Sequence, residues 1–206
     1  MKREFRFVKA ELRTEAADGK RFISGYAAKF NQMSSDLGFF REVIRPGAFT
    51  RTLKSADVRM LINHDPNLIL GRNKSGTLSL SEDETGLKFR CELPDTTYAK
   101  DLRESISRGD ISQCSFGFTV NRQAWIDDKE EEDGLVRELL DVDLFDTSAV
   151  TFPAYPDTEV QNTRSFPDGL PADIQEHLPA DDPARLAIDL ELAKARTRML
   201  EISLTL

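Results

Sequence analysis

The chain has 206 residues, a formal net charge of −8 and two cysteines. Its length allows one domain plus an appendage, since a single domain typically has about 100–200 residues. The acidic balance argues against a nucleic-acid binder, because affinity for phosphates comes from clustered Lys and Arg. Two cysteines are too few for a disulfide framework, and no apolar run approaches the ~20 residues of a membrane span. We therefore expect a cytoplasmic protein that binds neither nucleic acid nor a membrane.

Alternating apolar and polar residues predict strands through most of the first 152 residues, with turn residues between them. The predicted strands are 4–14, 21–30, 39–44, 57–63, 68–73, 76–81, 86–93, 111–125 and 135–152. Asp18-Gly19 is typical of a two-residue hairpin turn. Short helices are predicted over 48–53 and 96–108. In the second, apolar residues recur at helical spacing and Gly109 can end the helix.

The composition changes after about residue 160. Residues 161–183 are polar and contain four prolines, which is typical of a linker. The pattern that follows predicts a helix with an apolar stripe. We therefore expect a domain over 1–160, a linker over 161–183 and a C-terminal helical tail over 184–206. The domain is predicted to be mainly β with short helices (α+β), its antiparallel strands forming a closed or nearly closed barrel.

The chain contains two histidines, His64 and His177. His177 lies in the predicted linker, where an exposed side chain without a role is expected. His64 ends an apolar strand and is followed by Asp65-Pro66. Because Pro66 disfavours the helical region for Asp65, this strand end is predicted to be a rigid mount for a base. A histidine at a strand end is structural more often than catalytic, so both interpretations stay open at this point.

A second candidate lies in the strand predicted over 111–125. Successive side chains of a strand face opposite ways, so one face should pack an apolar row into the core: Cys114, Phe116, Phe118 and Val120. Ser115 and Gly117 fall on the other, outer face, where Gly117 would leave room for a substrate backbone. Ser112 lies nearer the loop, and the thiol of Cys114 should be buried and resist ionisation. Ser115 is therefore the better nucleophile candidate, with an ordinary exposed strand serine as the alternative.

A serine nucleophile requires a base within hydrogen-bond reach and a third group that orients the base. With His177 set aside, His64 is the candidate base. The best candidate acid is Asp146, which is predicted to share an apolar strand face with three residues: Val142, Leu144 and Ser148. A carboxylate on that face requires a partner, because an unpaired buried charge is costly. Asp143 is predicted to be solvated, and Asp65 is close in sequence to His64 but remains possible as its partner.

Other kinds of site find no support in the sequence. The two histidines and two cysteines lack the spacing of zinc ligands. Neither the GxxxxGK[ST] phosphate loop nor GxGxxG occurs, and the absence of Gly-x-Ser-x-Gly argues against an α/β-hydrolase. We expect no metal and no cofactor.

Four segments, taken together, resemble the prohead serine proteases of tailed phages, which are distant relatives of the herpesvirus assemblins. The segments are 44–49 (IRPGAF), 61–65 (LINHD), 111–118 (ISQCSFGF) and 144–154 (LFDTSAVTFPA). The resemblance covers about residues 20–160 and implies a small β-barrel wrapped by helices. It also implies Ser115 as nucleophile and His64 as base. The family often has Glu where this chain has Asp146, so Asp146 is the expected third member and Asp143 the alternative.

The resemblance further implies a biological role. Such proteases cut the scaffold, or the scaffold-like N-terminal region of the major capsid protein, and then themselves, inside the immature capsid in the host cytoplasm. The assemblins are activated by dimerisation, which implies a homo-oligomer. Two other classes of protein are alternatives: a non-catalytic capsid assembly factor acting through the C-terminal helix, and a small-molecule hydrolase. The presence of both Ser115 and His64 argues against the first, and the tail argues against the second.

Overall fold

The computed structural model describes residues 3–8, 12–35, 37, 40–127, 135–151 and 174. The strands are β1 (Glu4–Val8), β2 (Arg13–Ala17), β3 (Lys20–Lys29), β4 (Arg41–Ile44), β5 (Arg59–Ile62), β6 (Asp65–Arg72), β7 (Leu78–Glu82), β8 (Gly86–Glu92), β9 (Gln113–Asp127) and β10 (Leu135–Val150). The helices are α1 (Thr50–Ser55) and α2 (Thr97–Arg108), and a 3₁₀ turn spans Asn73–Ser75. The prediction of a mainly β chain with two short helices is therefore confirmed.

All these elements belong to one compact unit, Met1–Gly169. The C-terminal helix, His177 and the predicted linker apart from Ile174 lie outside the described residues, as does the loop between β9 and β10. The boundary predicted at residue 160 therefore stays a prediction. Within the described part of the chain, no helix is long and apolar enough to cross a membrane.

The larger sheet is built around the two longest strands, which pair antiparallel from Leu135 opposite Asp127 to Val150 opposite Gln113. Its order is β1-β9-β10-β5-β6, and β4 also pairs with β10. The 16 residues of β10 are enough to pair with two short strands in succession on its second edge, β4 first and β5 further along. Both pairings are parallel. Since β4 and β5 follow one another along this edge, the segment that contains α1 carries the chain forward from the end of β4 to the start of β5.

The smaller sheet has the order β2-β3-β8-β7, and all its pairings are antiparallel. Buried side chains from both sheets and from α2 form one hydrophobic core, and the half-buried Leu53 of α1 packs against it. Phe116 of β9 lies near its centre: its ring is stacked on Phe118 at 4.9 Å and meets Phe49 edge-on at 5.5 Å. The predicted core row of β9 is confirmed for its first three members, with Cys114, Phe116 and Phe118 all at most 1% exposed.

The predicted antiparallel barrel is not what the described strands form. They make two open sheets, and β10 pairs parallel with two neighbours. Closure would require ladder hydrogen bonds between an edge strand of one sheet and an edge strand of the other. Those edges are β1 and β6 in the larger sheet and β2 and β7 in the smaller one, and none of them pairs across. All five residues of β2 are exposed, so this edge presents no apolar face that could join the core.

Strand β1 is tied to the rest of the larger sheet by a buried cluster of four charged residues. Arg6 bonds both Glu42 (2.6 Å) and Glu4 (2.7 Å), and Arg137 bonds Glu4 (2.6 Å) and Glu42 (3.2 Å). Burial alone would lower the pKa of Arg6, but the two carboxylates outweigh it and raise that pKa above its ordinary value. Because breaking a buried pair costs about 3–5 kcal/mol, the cluster holds β1 firmly to β4, which carries Glu42, and to β10, which carries Arg137.

Candidate active site

His64 lies at the tip of the hairpin that joins β5 to β6. Ile62 pairs with Asp65, so Asn63 and His64 are the two central residues of the turn, with φ angles of 50° and 59°. Positive φ at both positions is what a type I′ turn requires, and glycine is favoured at the second. A left-handed conformation costs a residue such as histidine about 1–2 kcal/mol. Residues held in such conformations cluster at functional sites, so this turn points to a role for His64.

The tip of this hairpin is bonded to the end of β10. The backbone N–H of His64 donates to Ser148 Oγ at 3.1 Å. Asn63 N–H donates to the Ala149 carbonyl at 3.0 Å, and Asn63 Oδ1 accepts from the Thr151 N–H at 3.0 Å. These bonds fix the imidazole of His64 over the larger sheet rather than in solvent.

Ser115 lies on β9 between two paired neighbours, Phe7 on β1 and Ser148 on β10. It is on the sheet face opposite the core row, as the alternation predicts. That face is not open, however, because Ser115 has no exposed surface (0%). Ser115 is therefore not the exposed strand serine that was the alternative interpretation.

Asp146 reaches the same face by an irregularity that the sequence pattern does not reveal. Leu144 pairs with Phe118 and Asp146 with Gly117, so Phe145 is an extra residue in β10. Such a β-bulge places two residues opposite one and re-aims the side chains that follow it. The predicted common face for Asp146 and Leu144 is therefore wrong. Leu144 packs in the core, whereas Asp146 shares its face with Ser115 and Ser148.

These three elements bring a serine, a histidine and a carboxylate into line. His64 Nδ1 is 2.5 Å from Asp146 Oδ1, and His64 Nε2 is 2.6 Å from Ser115 Oγ. Since a carboxylate oxygen accepts, Nδ1 carries the proton and Nε2 is left to accept from the serine hydroxyl. The side chains of His64 and Asp146 are only 13% and 8% exposed, so water screens their interaction weakly. The arrangement has the geometry by which a serine hydroxyl is activated as a nucleophile.

Two aromatic side chains of β1 border the imidazole. The ring of Phe5 lies 4.1 Å from that of His64, tilted by 31°, and Phe7 meets His64 edge-on at 6.4 Å. Alternation along β1 explains why Glu4 and Arg6 enter the buried charge cluster while these rings face the site. The period-2 pattern of this strand predicts which side chains share a face. The position of Phe5 and Phe7 beside His64 depends on the pairing of β1 with β9.

Gly117 has a different role from the one expected. A Cβ at this position would lie 2.6 Å from Asp146 Oδ2 and 2.6 Å from the Phe5 ring. The space beside Gly117 is therefore taken by the acid and by the ring that packs on His64, and it is not open to a substrate backbone. The absence of a side chain lets these two groups approach the sheet.

The other candidates from the sequence lie elsewhere or are engaged otherwise. Asp143 is ion-paired with Arg51 at 2.6 Å, away from His64. Asp65 accepts hydrogen bonds from the backbone and side-chain amides of Asn67 at 2.8 and 2.9 Å. Ser112 precedes β9 and is exposed. Burial raises the pKa of the Cys114 thiol far above its ordinary value, so it would be a poor nucleophile.

Ser148 is the polar neighbour that the sequence analysis did not single out. It is fully buried, and its hydroxyl lies within hydrogen-bond distance of both His64 and Asp146. Its spacing from Asp146 suggested a shared face, but the contact with His64 depends on how two distant strands pair. No three His, Cys, Asp or Glu side chains in the described residues are placed to hold a metal ion.

Comparison with known proteins gives one family. The model of the family described as Caudovirus prohead serine protease matches residues 8–169, which include His64, Ser115 and Asp146. Among solved structures, the bacteriophage T4 capsid assembly protease gp21 is similar, with 11% identity and a TM-score of 0.43. The match covers 71% of this chain and 98% of that one. No curated protein matches the chain.

Proposed function

The chain belongs to the family of caudovirus prohead serine proteases, which act in capsid assembly and maturation, and we propose that Ser115, His64 and Asp146 are its catalytic triad. The observation that carries this proposal is the continuous line of hydrogen bonds from Asp146 through His64 to Ser115, at 2.5 and 2.6 Å. Each of these side chains comes from a different strand or turn, and all three are largely buried.

In the proposed reaction, Ser115 Oγ attacks the carbonyl carbon of a peptide bond while its proton passes to His64 Nε2. Asp146 keeps Nδ1 protonated and stabilises the imidazolium that forms. The imidazolium then gives its proton to the leaving amine as the C–N bond breaks, which leaves an acyl-enzyme on Ser115. A water molecule, deprotonated by His64, hydrolyses the acyl-enzyme and restores the serine.

The substrates we propose are the proteins of the immature capsid: the scaffold, or the scaffold-like N-terminal region of the major capsid protein, and the chain itself. The family match supports this class of substrate. We place the reaction inside the prohead, in the cytoplasm of the bacterial host. Self-association of the chain is part of the same proposal, and sedimentation at increasing protein concentration would test it.

Access to the serine requires a side-chain movement. Ser115 has no exposed surface, whereas attack requires a carbonyl carbon within about 3–3.5 Å of Oγ. Phe7 is paired with Ser115 on the same face. Because Glu4 and Arg6 hold β1 in the charge cluster, we expect the Phe7 ring to move and the strand to stay. A fluorophosphonate should then label Ser115 faster in Phe7→Ala than in the wild type, and an unchanged or slower rate would contradict this.

The main alternative is a non-catalytic assembly factor of the same fold, and one co-expression experiment separates it from the protease. The chain is produced with its capsid and scaffold proteins as wild type, Ser115→Ala or Ser112→Ala. We expect wild type and Ser112→Ala to process the shell proteins, and Ser115→Ala to assemble unprocessed shells. Equal processing in all three would exclude Ser115 as the nucleophile. No processing in any of them would favour the assembly factor.

A further inference from the structure

We propose that Ser148 is a positioning residue of this protease, which holds the base and the acid in register through one hydroxyl group. The inference rests on the proposed triad and extends it by a residue that does not touch the substrate. Ser148 is fully buried, and it pairs directly with Ser115 across the β9–β10 ladder.

Three contacts of the Ser148 hydroxyl carry the proposal. Its Oγ lies 3.1 Å from the backbone nitrogen of His64, 3.2 Å from Asp146 Oδ1 and 3.3 Å from His64 Nδ1. A hydroxyl has one proton to donate and lone pairs to accept with. The same oxygen can therefore serve both partners of the triad at once.

The hydrogen atoms have one arrangement that satisfies all of these groups. The His64 backbone N–H can only donate, so Ser148 Oγ accepts from it. If the Ser148 hydroxyl donated to Nδ1, then Nδ1 would be unprotonated and would face the Asp146 carboxylate at 2.5 Å with no hydrogen between them. The hydroxyl therefore donates to Asp146 Oδ1, and Nδ1–H donates to the same carboxylate. This arrangement leaves Nε2 as the acceptor for Ser115, which is the tautomer that a base requires.

The two hydrogen bonds of the Ser148 hydroxyl stabilise two irregular segments, the turn at His64 and the strand after the bulge. The turn at His64 has a left-handed conformation that histidine adopts at a cost, and the bond from its N–H to Ser148 helps to hold it there. Asp146 follows a β-bulge, where the ladder is locally disrupted and the side chain is re-aimed. A donor on the same strand, two residues further along, fixes the direction of its carboxylate. Ser148 thus couples the hairpin tip to the bulged strand.

The test compares Ser148→Ala with a matched control that removes a buried hydroxyl of similar bonding. Thr52 is 2% exposed, and its Oγ1 accepts the Leu144 backbone N–H at 3.0 Å, so it bonds the backbone of β10 and not a side chain of the triad. Thr52→Val therefore also removes a hydroxyl that accepts a backbone N–H of a buried strand. The readout is the rate constant for fluorophosphonate labelling of Ser115, with active sites counted from the labelling endpoint so that unfolded protein does not enter the rate.

We expect labelling of Ser148→Ala to be about 10–100-fold slower, the loss seen when hydrogen-bond partners of metal-ligating histidines are removed. Thr52→Val should stay within about twofold of the wild type, even if both variants melt earlier. Ser148→Thr, which keeps the hydroxyl, should recover most of the rate. Equal rates for Ser148→Ala and the wild type would overturn the positioning role while leaving the triad intact. A wild type that cannot be labelled at Ser115 would overturn the triad itself.

A second measurement on the wild-type chain does not depend on how well a variant folds. In hydrogen exchange, the His64 amide should exchange slowly because it donates to Ser148 Oγ. Gly19, an exposed residue at the second position of the other two-residue turn, is the internal reference. If the His64 amide exchanges as fast as that of Gly19, the bond to Ser148 is not maintained in solution and the proposal fails.

Discussion

Two hairpins of this domain have the same construction and different chemistry. Asp18-Gly19 joins β2 to β3 with φ angles of 52° and 73°, and Asn63-His64 joins β5 to β6 with φ angles of 50° and 59°. The first has glycine at the position where it is favoured, is exposed, and has open space around Gly19. The second has histidine there, bonded to β10 and packed against Phe5. The first turn thus has the residue that best suits its backbone. The second has a residue that suits the backbone less well, but its side chain belongs to the proposed triad.

The largest effect is expected when the second hairpin receives the glycine that the first one has. His64→Gly would produce an Asn-Gly turn, the preferred chemistry for this backbone. We expect the rate of Ser115 labelling, and of shell-protein processing, to fall by about 10⁴–10⁶-fold, because the base is lost. A rate within tenfold of the wild type would show that another group accepts the proton from Ser115. Thermal denaturation of the same sample checks that the variant is folded.

Replacing the acid comes next in size. Asp146→Asn keeps the shape of the side chain but can no longer hold Nδ1 protonated as a carboxylate does, so we expect a loss of about 10⁴-fold in rate. Asp143→Asn is the matched control on the same strand, since Asp143 is ion-paired with Arg51 and is not at the site. It should stay within about twofold of the wild type, because exposed ion pairs contribute little. Similar losses in both variants would undo the assignment of Asp146.

The smallest expected effects concern two glycines, Gly117 on β9 beside the candidate site and Gly19 in the exposed turn. Gly117→Ala would place a Cβ 2.6 Å from both Asp146 and the Phe5 ring, so we expect a destabilisation of about 1–3 kcal/mol. Displacement of Asp146 should also slow labelling about 10–100-fold, a loss comparable to that from disturbing a supporting hydrogen bond.

Gly19→Ala is the control. Its Cβ would meet no atom within 4 Å, so the expected cost is that of the left-handed backbone alone, roughly 1–2 kcal/mol. Its labelling rate should not change. Urea denaturation and labelling of both variants measure these differences, and a slower rate in Gly19→Ala would contradict them.

Much of the fold could be predicted because its signals are local. Period-2 alternation, helical spacing and turn residues located eight of the ten described strands and both helices to within a few residues, whereas the strand predicted over 4–14 is in fact two strands, β1 and β2. The Asp18-Gly19 turn and the core face of β9 follow from the same rules. Pairing is not local: the two strands that run parallel to β10, and the open sheets in place of a barrel, depend on partners more than 80 residues apart in the chain.

In the candidate site, too, some features follow from local sequence patterns and others depend on pairing between distant strands. His64 follows from composition, since the chain has two histidines and His177 lies in the predicted linker. Ser115 follows from the order of residues along one strand, which places Cys114 on the core face and Ser112 near the loop. The alternation of β10 predicts Asp146 on the same face as Leu144, whereas the structure places it on the opposite face. The difference is a bulge, which appears only when the strand is aligned with its partner. The contacts of Ser148 with the triad, and the packing of Phe5 on His64, join segments distant in sequence. The sequence alone thus predicts the candidate nucleophile, base and acid. Their orientation was decided by the register of β1, β9 and β10, because hydrogen-bonded strand pairing acts between segments whose local patterns do not specify each other.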